Sequence, residues 1–238
     1  MFEERSTAIE HLDRFDCEAD LAAASYRFME IVNRYFGGIR PVRRFVAAAA
    51  ADGRAGDPLR ILDIGTGSCD IPLAVSRWAR ARGVPLQFTC LETGRHAAAI
   101  ARRKLARARD PAVQLLHEDI FSHQPAQPYD YAVASMCCHH FSDARIISLL
   151  RKLRGFVHRG VLINDLLRSR GALLAARLLS AASPAGVRHD ALLSIRRGFK
   201  VGELAALLHQ IEGAAVRVTT ARWFRVVALV DFLEKETA

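Results

Sequence analysis

The chain has 238 residues, 51% of them hydrophobic, which suits a single α/β domain with a modest extension. No apolar run approaches the roughly 20 residues of a membrane span, and the acidic, polar start of the chain is unlike a secretory signal. The net charge of +9 comes from arginines spread through the sequence without an aromatic-rich basic strip, so we do not expect nucleic acid as a partner.

The cysteines indicate a reducing compartment. Their number is odd, they form no CxxC pair, and they are scattered along the chain. We therefore expect a cytoplasmic protein without disulfide bonds and without a metal site. The five are Cys17, Cys69, Cys90, Cys137 and Cys138.

The first 57 residues predict a helical extension. Apolar residues recur at helical spacing from Leu21 to Tyr35, and Gly37 and Gly38 end this helix. An alanine-rich stretch over 41–51 predicts a second helix. Before them, residues 1–20 are polar, with a short helix expected near Ile9 that folds over a ligand cleft.

The stretch from Arg60 to Asp70 organises the rest of the chain. An apolar run ends in Asp63 and turns into a loop that carries Gly65 and Gly67. Glycines permit positive φ angles and close approach of a ligand, and the free amides of a following helix point into the same cleft. The pattern predicts a strand, a nucleotide-holding turn and a helix capped by Asp70.

Further acids follow the next two predicted strands. The run 86–91 ends in Glu92, at the position where doubly wound folds bind ribose hydroxyls. Glu92 lies 27 residues after Gly65, which argues against the spacing of about 20 that nicotinamide enzymes use. After the strand 113–116, Asp119 and Ile120 combine an acid with an apolar side chain, which suits an adenine amino group and ring face.

Strands and helices alternate from residue 60 to 165. This rhythm predicts a parallel sheet with right-handed crossovers and helices on both faces. The fourth strand covers 129–136, and the fifth, 161–163, ends in Asn164 and Asp165. Beyond them we expect an apolar helix over 173–182, a break at Pro184, and two final strands within 215–218 and 224–230.

This order of motifs resembles the class I S-adenosylmethionine-dependent methyltransferases, strongly over residues 58–165 and more thinly to the C-terminus. The resemblance implies a Rossmann-like, doubly wound, mostly parallel seven-stranded sheet whose last strand is antiparallel. It implies S-adenosyl-L-methionine as cofactor and S-adenosyl-L-homocysteine as product. Cys69 replaces the third glycine of the family's loop, and we expect its thiol to crowd the cofactor. The implied cofactor-binding residues are Asp63, Gly65, Thr66, Gly67, Cys69, Asp70, Glu92, Thr93, Asp119, Ile120, Ser135 and Met136.

The resemblance also implies a division of the chain. Residues 58–238 form the methyltransferase domain, and residues 166–200 form a helical cap that shapes the acceptor pocket. Where similar proteins have Thr-Pro before a helix, this chain has Lys200 and Val201, so the start of that helix lacks its usual cap. Arg188, Arg196 and Arg197 flank the cap, either to bind an acidic or phenolic acceptor or as a solvated basic face.

Methyl transfer to a hydroxyl requires a base. The candidates are His139 and His140 after the fourth strand and His189 in the cap, with Asp165 or Asp190 to orient one of them. Each histidine could equally hydrogen-bond only the backbone. We expect O-methylation of a phenolic or polyketide-like small molecule by a monomer or homodimer. An RNA methyltransferase and a non-catalytic cofactor-binding protein remain alternatives.

Overall fold

Alternating strands and helices make up most of the protein. The computed structural model describes residues 3–52 and 57–233. The strands are β1 (Leu59–Ile64), β2 (Leu86–Leu91), β3 (Val113–Leu116), β4 (Tyr129–Ser135), β5 (Val157–Leu166), β6 (Ala214–Ala221) and β7 (Arg225–Phe232). The α-helices are α1 (Ala19–Tyr35), α2 (Ile39–Ala51), α3 (Asp70–Arg80), α4 (Arg95–Ala108), α5 (Asp143–Leu153), α6 (Arg170–Leu179), α7 (Ala185–Arg197) and α8 (Val201–Leu208). Within these described ranges, no helix has the length and apolar character needed to cross a membrane.

All seven strands form one sheet in the order β3-β2-β1-β4-β5-β7-β6. The first five strands pair in parallel, and β7 runs antiparallel to both β5 and β6. The predicted doubly wound, mostly parallel seven-stranded sheet is therefore confirmed, including the reversed last strand. From β1 the chain continues to β2 and β3 on one side, and from β4 it continues to β5 on the other side. Because the direction reverses between β1 and β4, a crevice opens at the carboxyl ends of these two strands.

The central strands are buried on both faces. Along β1, Leu62 and Ile64 join one apolar core, whereas Ile61 joins a second core on the other side of the sheet. Alternate side chains of an extended strand point to opposite faces, so a strand with two buried faces requires helices on both. The apolar run that precedes the glycine loop thus fixes β1 in the middle of the sheet.

The N-terminal segment is tied to the helices that follow β5. A short 3₁₀ helix, His11–Asp13, precedes α1. Both carboxylate oxygens of Asp190 in α7 accept hydrogen bonds from this turn, at 2.9 Å from the amide of His11 and 3.0 Å from the amide of Leu12. Asp190 is buried, so its charge is satisfied by the turn that it anchors.

Helix α8 begins where the sequence lacks the expected cap. It starts at Val201 without a proline, and the side chain of Glu203 accepts a hydrogen bond from the backbone amide of Lys200 at 3.2 Å. An acid at the third helical position can satisfy this amide, which is half of a capping box. The missing Thr-Pro pair is therefore compensated from within the helix.

Candidate functional site

A polar cavity of about 240 Å³ lies at the carboxyl ends of the parallel strands. Its wall combines the loop after β1 with residues that follow β2, β3 and β4, and α1 closes it from above. The structure brings together eleven of the twelve residues that we assigned to the cofactor. They are Asp63, Gly65, Thr66, Gly67, Asp70, Glu92, Thr93, Asp119, Ile120, Ser135 and Met136.

Two glycines bring the loop backbone close to its neighbours. Gly65 and Gly67 have φ angles of +63° and +58°, in the left-handed region that glycine adopts without strain. A Cβ atom at Gly65 would lie 2.6 Å from Sγ of Cys137, and one at Gly67 would lie 3.2 Å from a ring carbon of Tyr26. Larger residues at either position would therefore crowd these two side chains of the cavity wall.

Cys69 is the predicted member that the wall does not contain. Its backbone has a φ of 58°, and its side chain is completely buried. The side chain packs with Val75 and Cys90 in the core below the loop. The hydroxyl of Thr66 donates to its sulfur at 3.5 Å. We therefore correct the expectation that Cys69 crowds the cofactor: its side chain points into the core. The thiol in the cavity wall is Cys137, whose pKa is raised by burial.

Thiol reagents test this orientation. All five cysteines are buried, so maleimide is expected to label them slowly until the protein unfolds. Cys69→Gly should keep its affinity for S-adenosylhomocysteine, because glycine adopts the left-handed conformation readily and no cavity contact is lost. Peptide mass mapping and calorimetry provide the measurements. Rapid labelling of native Cys69 with loss of binding would contradict the buried position.

Asp63, which is buried, and Asp70, which is partly exposed, place their carboxyl groups at the loop. Burial raises the pKa of Asp63 to about 7, despite a hydrogen bond from Thr66 that lowers it. Asp70 is the first residue of α3 and does not cap it as predicted, since its oxygens accept from Nδ2 of Asn33 at 3.1 Å and from Oγ of Ser68 at 3.2 Å. The site therefore places two carboxyl groups beside the glycine loop, and burial raises the pKa of both.

The pKa of Asp63 predicts a pH-dependent stability. Between its usual pKa of 3.8 and its native pKa of about 7, the folded protein keeps a proton that the unfolded chain releases. The free energy of unfolding should therefore decrease as the pH rises across this interval. Asp63→Asn should flatten that decrease, whereas the exposed Asp20→Asn should not. Urea denaturation at a series of pH values measures the slope, and equal slopes in all three proteins would refute the prediction.

Glu92 and Asp119 occupy the ends of β2 and β3. The Glu92 side chain is mostly buried, and its two oxygens accept from the amides of Gly67 and Gly94, each at 2.7 Å. Burial raises the pKa of Glu92, and these two backbone hydrogen bonds oppose the shift. Asp119 accepts from the amide of Phe121 at 2.9 Å. Glu92 thus joins the glycine loop to β2, a structural role that the sequence did not indicate.

A second cavity, apolar and of about 310 Å³, adjoins the first. It lies between α1, α6, α7 and the turn that joins β6 to β7. Four residues line both cavities: Leu12, Met29, Met136 and His140. A ligand in the polar cavity and one in the apolar cavity can therefore meet at this shared wall.

Two histidine–aspartate pairs lie beside the shared wall. Nδ1 of His139 is 2.7 Å from Asp165, and Nδ1 of His140 is 2.6 Å from Asp13. Burial acts to lower the pKa of His140, but the hydrogen bond with Asp13 and the charge of Glu10 raise it above its usual value. Burial acts to raise the pKa of Asp165, and the charge of His139 overcomes it and lowers that pKa.

Glu10 completes this cluster from the N-terminal segment. Its carboxylate accepts from Oγ of Ser194 at 2.8 Å and lies 3.8 Å from Nε2 of His139. Ligand atoms of Glu10, His139 and His140 lie within 4.8 Å of one another. Two imidazoles and a carboxylate are donors that a divalent transition metal can bind, so this cluster offers both a base and a set of possible metal ligands.

Two of the cap residues that we considered, His189 and Arg188, lie outside the walls of both cavities. His189 is exposed and contacts the ring of His11. Arg188 is exposed as well, whereas Arg197 is buried and donates to the backbone oxygens of His139 and His140 at 3.1 and 3.0 Å. The geometry does not support His189 as the base, because it is separated from the cavities, and it gives Arg197 a positioning role.

Comparisons with known proteins agree with this geometry. Residues 62–163 match a family model described as a methyltransferase domain. A search of curated proteins found no match. Among solved structures, the plantazolicin methyltransferase BpumL in complex with SAH superposes with a TM-score of 0.63 at 16% identity, over 91% of this chain and 96% of that chain.

Two further similar structures have other acceptors in their names. Magnesium protoporphyrin IX methyltransferase from Synechocystis PCC 6803, with bound SAM, has a TM-score of 0.55 at 13% identity, covering 83% of this chain and 80% of that one. The CMeT domain of the citrinin polyketide synthase has a TM-score of 0.61 at 15% identity, covering 83% of this chain and 52% of that one. At these identities the likeness establishes the fold.

Proposed function

We propose that the chain, which matches a methyltransferase-domain model over residues 62–163, is a class I S-adenosylmethionine-dependent methyltransferase that methylates an oxygen atom of an apolar small molecule, such as a phenolic or polyketide-like metabolite. The observation that carries the proposal is the pair of adjoining cavities, one polar and one apolar, that share Met136 and His140. Plantazolicin, magnesium protoporphyrin IX and a polyketide, which appear in the names of the similar structures, support a small organic acceptor.

The polar cavity suits S-adenosylmethionine. Its glycine loop leaves no room for side chains at two positions, and buried carboxylates provide acceptors for hydroxyl and amino groups. We assign Glu92 to the ribose hydroxyls and Asp119 to the adenine amino group, and the other nine of the eleven predicted residues in the cavity wall to the rest of the cofactor. When bound, the cofactor supplies a methyl group on a positively charged sulfur.

His140 is the residue that we assign as base. Asp13 holds its Nδ1, which leaves Nε2 to take the acceptor's hydroxyl proton while the new oxygen–carbon bond forms and the sulfur–carbon bond breaks. The pairing with Asp13 also stabilises the imidazolium that results. His139 and Asp165 are positioning residues, because they fix the backbone turn that carries His140.

The apolar cavity suits the acceptor. Residues of α6 and α7, within the proposed cap of residues 166–200, form much of its wall, including Ala172, Leu178, Val187 and Ile195. Such a wall matches the hydrocarbon part of an apolar acceptor. The proposal extends to a catalytic domain over residues 58–238 that acts in the cytoplasm as a monomer or homodimer.

Incubation with methyl-labelled S-adenosylmethionine tests the proposal. Matched acceptors that differ only in a phenol, an aniline or a thiol group on the same alkylated ring should be compared, with an RNA pool as a further acceptor. We expect label on the phenol oxygen, identified by mass spectrometry. Label confined to RNA, or cofactor binding without transfer to any acceptor, would refute it. A parallel reaction with a metal chelator distinguishes a histidine base from a metal held by the same cluster, because chelation lowers the rate of methyl transfer only if a metal takes part.

A further inference from the structure

Arg225 is a buried charge whose terminal nitrogens lack partners. It is the first residue of β7 and is only 1% exposed. Its Nε donates to the backbone oxygen of Phe36 at 3.1 Å, but Nη1 and Nη2 have no hydrogen-bond partner in the described part of the chain. Leaving charged donors unsatisfied in a protein interior is costly, so such a group indicates a missing acceptor.

The same residue lines the apolar cavity. Most of the wall of this cavity is hydrocarbon. Helix α1 contributes Phe28 and Val32, and Phe36 follows its last residue. The turn between β6 and β7 contributes Trp223 and Phe224. The hydroxyl of Ser25 also lines it and also lacks a hydrogen-bond partner. Two unsatisfied polar groups in a mostly apolar wall, in addition to the histidine cluster described above, provide specific contacts for a ligand that is mostly hydrocarbon.

The charge of Arg225 persists at neutral pH. Burial lowers its pKa to about 10, while the charge of Asp165 acts in the opposite direction. Asp165 cannot serve as its full partner, because the carboxylate is already engaged by Nδ1 of His139 and by the amides of His139 and Leu166. The guanidinium therefore keeps two nitrogens for a group that the described residues do not supply.

Backbone contacts fix the guanidinium in this place. Arg225 pairs with Leu166 across β5 and with Ala221 across β6, so its Cα is held on both sides by the sheet. A Cβ atom at Gly37, whose φ is +89°, would lie 2.9 Å from Cγ of Arg225, so the glycine leaves room for the side chain. A side chain fixed in this way loses little entropy when it binds a ligand.

We propose that Arg225 binds an acidic oxygen group of the acceptor, such as a phenolate, enolate or carboxylate, in addition to the hydroxyl that is methylated. The planar guanidinium can donate to such a group through both terminal nitrogens. The acceptor class is thereby an apolar molecule with at least two oxygen functions, one of them acidic. This inference rests on the proposed function for the identity of the cavity as the acceptor site.

Binding of a matched pair of probes tests the proposal without turnover. Decanoate and decanol share their hydrocarbon chain and differ in the presence of a carboxylate. Calorimetry on protein saturated with S-adenosylhomocysteine should show decanoate binding roughly 10-fold or more tightly than decanol, as expected for hydrogen bonds to a charged group. Arg225→Met should reduce this ratio to about one, and Arg225→Lys should retain part of it.

A neighbouring arginine provides the control. Arg217→Met removes the same charge from an exposed position on β6 and should leave the ratio unchanged. If Arg225→Met does not fold, the ratios in the parent and in Arg225→Lys decide the question. Equal affinities of the two probes for the parent, or an undiminished ratio in Arg225→Met, would overturn the proposal. A preference for decanoate in a protein that methylates no acceptor would instead refute the proposed function alone.

Discussion

Replacing Glu92 with alanine is expected to weaken S-adenosylhomocysteine binding about 100-fold, because two charge-assisted hydrogen bonds within the cavity are lost. Its carboxylate accepts from the amides of Gly67 and Gly94, each at 2.7 Å, and those donors would face a cavity with no partner. The same substitution removes the hydrogen-bond acceptor that we assign to the ribose hydroxyls. Both effects act on the cofactor, one directly and one through the glycine loop.

Two further variants separate these effects. Glu92→Gln keeps an oxygen for one backbone amide but removes the charge, so its affinity should fall between those of the parent and the alanine variant. Glu118→Ala is the control, since Glu118 lies in the same cavity wall with its carboxylate 3.2 Å from Nδ1 of His123, and it should bind nearly as the parent does. Calorimetry on folded protein gives the affinities. Unchanged binding by Glu92→Ala would remove Glu92 from the cofactor site.

The cofactor cavity could be located from the sequence because its determinants are local. An apolar run, an acid and two glycines lie within nine residues, from Ile61 to Cys69, and they specify a strand and a turn without help from the rest of the chain. Glu92 and Asp119 follow their own strands, and parallel strands bring their carboxyl ends to one edge of the sheet. The alternation of strands and helices thus suffices to place these acids together.

The catalytic cluster could not be assembled in the same way. Asp13 and His140 are 127 residues apart, and Glu10 lies even further from Ser194, so their contacts depend on how the N-terminal segment packs against α7. No periodicity reports such packing. The one signal in the sequence is the pair of acids, Glu10 and Asp13, that flank a two-residue segment ahead of α1. For the same reason, His140 and the exposed His189 were equally good candidates for the base on sequence grounds.

Cys69 and Arg225 show a second limit of sequence reasoning. The motif gives the position of Cys69 in the loop but not the direction of its side chain, which follows from a φ of 58° and the packing of Cys90 beneath it. Arg225 resembles any other arginine in a basic chain until the fold buries it. We single it out because its two terminal nitrogens have no hydrogen-bond partner among the described residues. Only the three-dimensional contacts show which donors are left without an acceptor.

Replacing His140 with alanine is expected to reduce kcat by roughly 10²- to 10⁴-fold, the usual contribution of a positioned general base. His189→Ala should retain parent activity, because that ring is exposed and lies outside both cavities. Affinity for S-adenosylhomocysteine, measured on both variants, controls for damage to the polar cavity, since His140 also lines it.

The pH profile of the parent and of Asp13→Asn decides whether His140 acts as the base. Burial acts to lower the pKa of His140, and the hydrogen bond with Asp13 raises it above its usual value. Only the neutral ring accepts a proton, so kcat should decrease as the pH falls through this raised pKa. Asp13→Asn removes the negative charge, lowers the pKa of His140, and should move the acidic limb of the profile to lower pH. If Asp13 had only a structural role, Asp13→Asn would reduce kcat without moving the acidic limb of the pH profile. An acidic limb that does not move in a folded, active variant would therefore exclude the Asp13–His140 pair as the proton acceptor.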